Sequence, residues 1–179
     1  MAIGTLLFLV VVVMILLLYP VVQTWIAGIV GRKLSEDLGF TIRIERVELR
    51  PFALNRLHGV YIGDLRGDTL IAVDELRIRG LKLDTKGHVV KARRVELYDA
   101  RFNLAKAPGD AHSNLTNLIE KLASADTSSG GAPWTVVCGE FDIQRFRFKF
   151  TDHNEDLSPF GVDFDHVDVN TADIRGTDL

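Results

Sequence analysis

From Thr41 onward the apolar residues fall into one recurring pattern: apolar, x, apolar, x, x, apolar, x, apolar. It reads Ile42, Ile44, Val47, Leu49, then Leu76, Ile78, Leu81, Leu83, then Val90, Ala92, Val95, Leu97. It returns as Phe141, Ile143, Phe146, Phe148 and as Val162, Phe164, Val167, Val169, while Leu57, Val60 and Ile62 carry most of it once more. Side chains alternate between the faces of a strand, so two adjacent x positions would throw the second apolar pair onto the polar face. A bulge absorbs one residue, bends the strand and keeps all four apolar groups together. The doubled polar positions Glu45–Arg46, Arg79–Gly80, Arg93–Arg94, Gln144–Arg145 and Asp165–His166 are therefore predicted to be bulges or sharp bends. Repeated in successive strands, the device predicts a coiled sheet with an apolar concave face. Its charged convex face would carry Arg43, Glu48, Arg77, Lys82, Lys91, Glu96, Arg147 and Lys149. The alternative is that each copy is two short strands meeting at a corner of an ordinary sandwich.

Pro51, the run DLRGD at 64–68 and DTKG at 84–87 have turn chemistry, which pairs consecutive strands as an antiparallel meander. Ser113 suits the N-cap of a helix over 114–123, with Leu115, Leu118, Ile119 and Leu122 as its stripe. Residues 124–133, SADTSSGGAP, read as a linker, and Trp134 restarts the sheet over 134–179. The last strand ends without a cap, so the chain reads as the N-terminal piece of a longer protein, with 40–123 as its first β unit.

Ahead of the sheet, Ile3 to Tyr19 contains no charge and stops at Pro20. As a helix it reaches roughly 25 Å, close to the roughly 30 Å hydrocarbon core. Without a basic segment before it, the run reads as a retained transmembrane anchor over 1–19 rather than a cleaved signal, with Leu6, Leu7, Phe8 and Leu16 in lipid. Over 20–39, Val22, Trp25, Ile26, Ile29, Val30, Leu34 and Leu38 fall near one face, which predicts an amphipathic helix at the membrane interface, Trp25 included. A continuous tilted extension of the anchor fits the same residues. Arg32 and Lys33 follow the span and the N-terminal tail has no cation, so the charge count alone leaves the domain in the cytoplasm.

Composition narrows the chemistry. The 179 residues carry a net charge of -3 with both signs mixed, and nothing points to nucleic acid. Cys138 is the single cysteine and reads as packing. No phosphate-binding glycine loop, G-x-S-x-G, H-E-x-x-H or C-x-x-C is present. The acidic group Asp152, His153, Glu155, Asp156, Asp163, Asp165, His166 and Asp168 has no calcium-loop spacing and reads as a solvated face. Asn114, Leu115 and Thr116 form a sequon to which no function is assigned. No catalytic residue, metal or cofactor is expected.

The uncleaved anchor, the short helix ending in LSEDLG and the run TIRIERVELRPFALNRLHGVYIGDLRGDTLIAVDELRIRGLKLD together suggest a family. With VELYDARFNL and NLTNLIEKL in the same order, the chain resembles the start of AsmA-like proteins, in the translocation and assembly module (TamB) branch of Bacteroidetes type. The resemblance covers essentially the whole chain. It implies an inner-membrane protein whose β-groove projects into the periplasm, against the charge count. It further implies phospholipid transport between membranes, outer-membrane protein assembly, and a barrel partner reached through a C-terminal region that this chain lacks.

The expected fold is thus mainly β with an N-terminal transmembrane helix, a coiled antiparallel sheet forming an elongated apolar groove, and one or two short helices. Membrane phospholipid is the expected cargo. The expected lining is Ile42, Ile44, Val47, Leu49, Leu76, Ile78, Leu81, Leu83, Val95, Leu97, Phe141, Ile143, Phe146, Phe148, Phe150 and Phe164. Apolar groups of this size are each worth about 1.5–3 kcal/mol when removed from water, so something must cover them. The rival is an anchored β-sandwich that docks an envelope assembly partner and carries nothing. An anchored hydrolase lacks the nucleophile or paired acids it needs.

Overall fold

The computed structural model describes residues 8, 12, 15–50, 53–128, 135–158 and 161–178. A first helix, α1 (Pro20–Leu38), precedes strands β1 (Thr41–Glu48), β2 (Leu54–Gly63), β3 (Thr69–Arg79), β4 (Lys82–Asp84) and β5 (Val89–Lys106). A second helix, α2 (Asn114–Ser128), leads to β6 (Thr135–Asp152) and β7 (His166–Thr177). The strands form one open sheet in the order β1-β2-β3-β5-β6-β7, with β4 beside β5. The molecule is mainly β.

The local signals act where they stand. Tyr19 is extended (φ -77°, ψ 128°), as a residue before proline prefers, so α1 starts afresh at Pro20 instead of continuing an earlier helix. Gly39 ends it in the left-handed region at φ 76°, donating its N–H to the Ser35 carbonyl at 2.9 Å. In the β2–β3 turn, Asp64 Oδ1 accepts the N–H groups of Arg66 and Asp68, each at 2.9 Å. Ser113 Oγ accepts the Thr116 N–H at 3.2 Å, which starts α2.

Three expectations change. The meander breaks between β5 and β6, which are parallel, so the sheet is mixed. A parallel neighbour needs a crossover of a dozen or more residues, and the stretch between Lys106 and Thr135, α2 included, is that long. Helix α2 itself runs on to Ser128 through what reads as linker; Ser124 Oγ donates to the Glu120 carbonyl at 2.7 Å within it. The fifth copy of the repeat is half strand only, because β7 starts at His166. Asp163 accepts the N–H groups of Ser158, Asp165 and His166, and this turn leaves Val162 and Phe164 73% and 75% exposed.

The doubled polar positions have a different geometry from isolated bulges. Between β1 and β2 the pairs Ile44/Val60 and Arg46/His58 keep one register across a skipped Glu45/Gly59 pair. The next ladders skip Asp74 and Asp99 in the same row, and β5/β6 skips Asp99/Arg145. Gly59, Asp99 and Arg145 have φ of 60°, 53° and 53°. Each extra residue thus faces an extra residue next door, and the row crosses five strands from β1 to β6 without shifting register; only against β7 does the register shift, between Ile143 and Phe146, so the expected bulge at Gln144–Arg145 is present on that side. A second row runs through Gly80, Arg93 and Gly139. Apolar groups stay on one face on both sides of each row, as in Ile42/Ile62/Ile71/Phe102/Phe148 and Val47/Leu57/Leu76/Leu97/Ile143.

The opposite face is a mesh of ion pairs. Glu48, Glu96 and Asp142 are nine-tenths buried beneath long neighbours, with Arg46 on Glu48 at 2.7 Å, Arg94 on Glu96 at 2.9 Å and Arg175 on Asp142 at 3.3 Å. Arg77, stacked over the Tyr98 ring at 4.4 Å, hydrogen-bonds Glu75 and holds its carboxyl below the usual range.

At the far end of the parallel pair, Lys106 Nζ donates to Asp152 at 2.7 Å, and the Asn154 N–H donates to it at 2.9 Å. Together they lower the Asp152 carboxyl from 3.8 to about 2. A depressed carboxylate contributes stability above its unfolded value and loses it as the pH falls through the folded one. The melting-temperature gap between wild type and Asp152→Asn, open at neutral pH, should therefore close as the pH falls from 3.8 to about 2. A gap that is constant over that window would show that the clamp does not titrate.

Candidate functional site: an apolar groove under the first helix

Helix α1 lies along the outer edge of β1, and its polar side chains satisfy that edge. The Leu49 N–H donates to Gln23 Oε1 at 2.6 Å, the Val47 N–H to Thr24 Oγ1 at 2.9 Å, and the Ile42 N–H to Ser35 Oγ at 2.8 Å. An unpaired strand edge is a template for aggregation, so the helix blunts it as a further strand would. Close approach needs a small residue: a Cβ on Gly31 would sit 3.3 Å from the Ile42 carbonyl oxygen.

Attached at the edge, the helix stands off from the sheet and encloses a groove of about 1300 Å³, larger than the roughly 300–1000 Å³ of ordinary ligand pockets. Ile26, Val30 and Leu34 form the helix wall, and Ile42, Ile44 and Val47 form the strand wall. Leu17 and Leu18 stand at one end, and Leu81, Ala92 and Val137 close the far side next to the second skipped row.

Of the expected lining, Ile42, Ile44, Val47, Leu49 and Leu81 border this groove. Leu76, Ile78, Val95, Leu97, Phe141 and Ile143 continue the same face beyond it, half-buried. Phe146, Phe148 and Phe150 do likewise; Phe146 packs edge-on to Phe102 at 5.4 Å between ring centres. Leu83 and Phe164 do not line it: Leu83 is 62% exposed on the short β4, and Phe164 projects from the loop before β7. The stripe of α1 is also divided. Ile26, Val30 and Leu34 face the groove and Leu38 is buried, whereas Trp25 is 66% exposed beside Val21 at 80%.

The helix is consequently apolar on two sides, with its polar contacts between them. Gln23, Thr24, Gly31 and Ser35 were not among the expected site residues, although Thr24, Gly28, Gly31 and Ser35 repeat at i, i+4, i+7 and i+11, a small-residue stripe visible in the sequence. Of the anchor residues, Phe8 and Leu16 are exposed, while Leu6 and Leu7 lie outside the described residues. No helix among the described residues is long and apolar enough to cross a membrane. Nor, among those residues, does any group of three or more His, Cys, Asp or Glu come together to hold a metal ion. No family model, curated protein or solved structure compared with the chain matches it.

Proposed function

We propose that the chain carries lipid, taking acyl chains into the groove between α1 and the sheet and along the apolar face beyond it. The observation that supports this reading is an apolar face left only half-covered: among the described residues Phe40 and Leu70 are the only large side chains fully buried. A sheet with that face half-exposed is costly in water and is relieved by an apolar ligand. The resemblance to AsmA-like proteins adds the setting: an inner-membrane anchor, a periplasmic groove for phospholipid moving between membranes, and outer-membrane assembly with a barrel partner. In this reading the chain is a carrier and not a catalyst.

Native mass spectrometry of the full chain in mild detergent should find co-purified phospholipid. A photo-crosslinking residue at Ile44, inside the groove, should capture lipid, while one at Arg43, whose guanidinium lies over the Tyr61 ring, should not. Crosslinks from Ile44 to protein alone, with no lipid retained, would instead favour an interaction module.

A further inference from the structure

We infer that the outer edge of β7 is a self-association edge, on which a second copy of this chain pairs antiparallel about a two-fold axis with Asp168 opposite the partner's Arg175. The inference is independent of what the groove carries.

The two ends of the sheet differ. At β1 the outward N–H groups of Ile42, Val47 and Leu49 are taken by Ser35, Thr24 and Gln23 of α1. β7 pairs with β6 on one side, and among the described residues no strand pairs with the other. The Asp165 carbonyl accepts the Asp152 N–H and the Asp178 N–H donates to the Gly139 carbonyl, each at 2.8 Å, so the backbone groups at both ends of β7 face β6. Alternation inward from those ends turns Asp168 and Asn170, and likewise Asp173 and Arg175, away from β6. Such an edge of outward N–H and C=O groups is a template for one more strand.

β7 is complementary to itself in one register. Val167, Val169, Ala172 and Ile174 pair with Phe150, Phe148, Phe146 and Ile143 on the apolar face, while Asp168 pairs with Lys149 and Arg175 with Asp142 on the charged face. Asp168 and Arg175 are an odd number of positions apart, which in a regular strand puts them on opposite faces. The stretch from Val169 to Ala172 is one residue longer than its counterpart from Phe148 to Phe146, and this extra residue brings both charges to one face. A two-fold axis normal to the sheet preserves faces, so Asp168 meets the partner's Arg175 twice, and Val169 meets the partner's Ile174 twice. Val169 and Ile174, each 36% exposed in one copy, cover each other in the pair. Arg175, its side chain 73% exposed, reaches Asp142 through Nε at 3.3 Å, while among the described residues Asp168 has no ion-pair partner within its own chain. The neighbouring registers that keep the faces set Asp168 opposite Asp173 or Arg175 opposite Asn170, so charge selects the one proposed.

Sedimentation of the full chain in mild detergent should show a concentration-dependent dimer. Asp168→Arg alone or Arg175→Asp alone places like charges opposite at both symmetric contacts and should raise the dissociation constant about tenfold or more. An equimolar mixture of the two variants restores opposite charges at both contacts and should dimerise as the wild type does. The register is read separately on a Cys138→Ser background. Val169 and Ile174 turn their backbone groups to β6, so across the new edge they form a non-hydrogen-bonded pair, the close spacing that suits a disulfide. Val169→Cys chains mixed with Ile174→Cys chains should crosslink on oxidation, and Val169→Cys chains mixed with Ala172→Cys chains should not. A monomer at every concentration overturns the inference, whatever else occupies the edge. So does a dimer indifferent to the charge variants, a mixture that stays monomeric while both variants melt with the wild type, or crosslinking of the second cysteine pair in place of the first. Should either charge variant fail to fold, the cysteine pairs decide alone.

Discussion

Replacing Phe40 with Ala should lower stability by about 3–5 kcal/mol, the range for emptying a fully buried aromatic site. Against a total of about 5–15 kcal/mol, that is a large share, and the melting temperature should fall by about 10 °C or more. The effect is large because burial is scarce and concentrated. Phe40 is 1% exposed and packs with Leu38, Leu70 and Leu118, so one cluster ties the end of α1 and the helix α2 to the sheet. Losing it also loosens the wall of the groove, and lipid retention should fall with stability. Leu83→Ala, at a side chain 62% exposed, serves as the control and should change stability by no more than about 0.5 kcal/mol. A Phe40→Ala protein that melts with the wild type would place the core elsewhere.

Gly139→Val should be nearly as damaging, for a backbone reason. A Cβ at this position would stand 2.9 Å from the carbonyl oxygen of Arg93 on the neighbouring strand, and a carbonyl in the ladder has no rotamer with which to retreat. The strands must part between the pairs Ala92/Cys138 and Arg94/Glu140. The expected cost is about 3 kcal/mol, at the upper end for overpacking, with faster amide exchange around Ala92 and Cys138. Gly67 is the contrast: its φ is 89° but nothing lies within 4 Å of a Cβ there, so Gly67→Ala should cost about 1 kcal/mol from backbone strain alone. Equal melting of the Gly139→Val and wild-type proteins would mean the close approach is not needed.

The two glycines also mark the limit of what is legible from residues alone. Gly67, in the run DLRGD, announces its own turn through local chemistry. Gly139 looks like any strand glycine, because the atom that requires it belongs to Arg93, which is 46 positions earlier in the ladder. The same holds for polar residues. Ser113 is recognisable as a cap because its partner is three residues away, whereas Thr24 and Ser35 bond to a strand whose position no local signal states.

The sequence by itself determined most of the strands, their apolar face and the existence of an irregularity within the repeat, since alternation and its interruption are properties of neighbouring residues; the copy at Val162 and Phe164 is the exception, a turn held by Asp163. It also determined where α1 stops and where the β2–β3 chain turns, through Gly39 and Asp64. Only the tertiary structure decided that β5 and β6 run parallel, that the extra residues align from Glu45 to Arg145 across five strands, and that α1 seals the β1 edge. These depend on which strands become neighbours and in what register. The apolar pattern specifies a shared face but is satisfied by several strand orders; the crossover containing α2 and the close contacts at Gly31 and Gly139 select one of them.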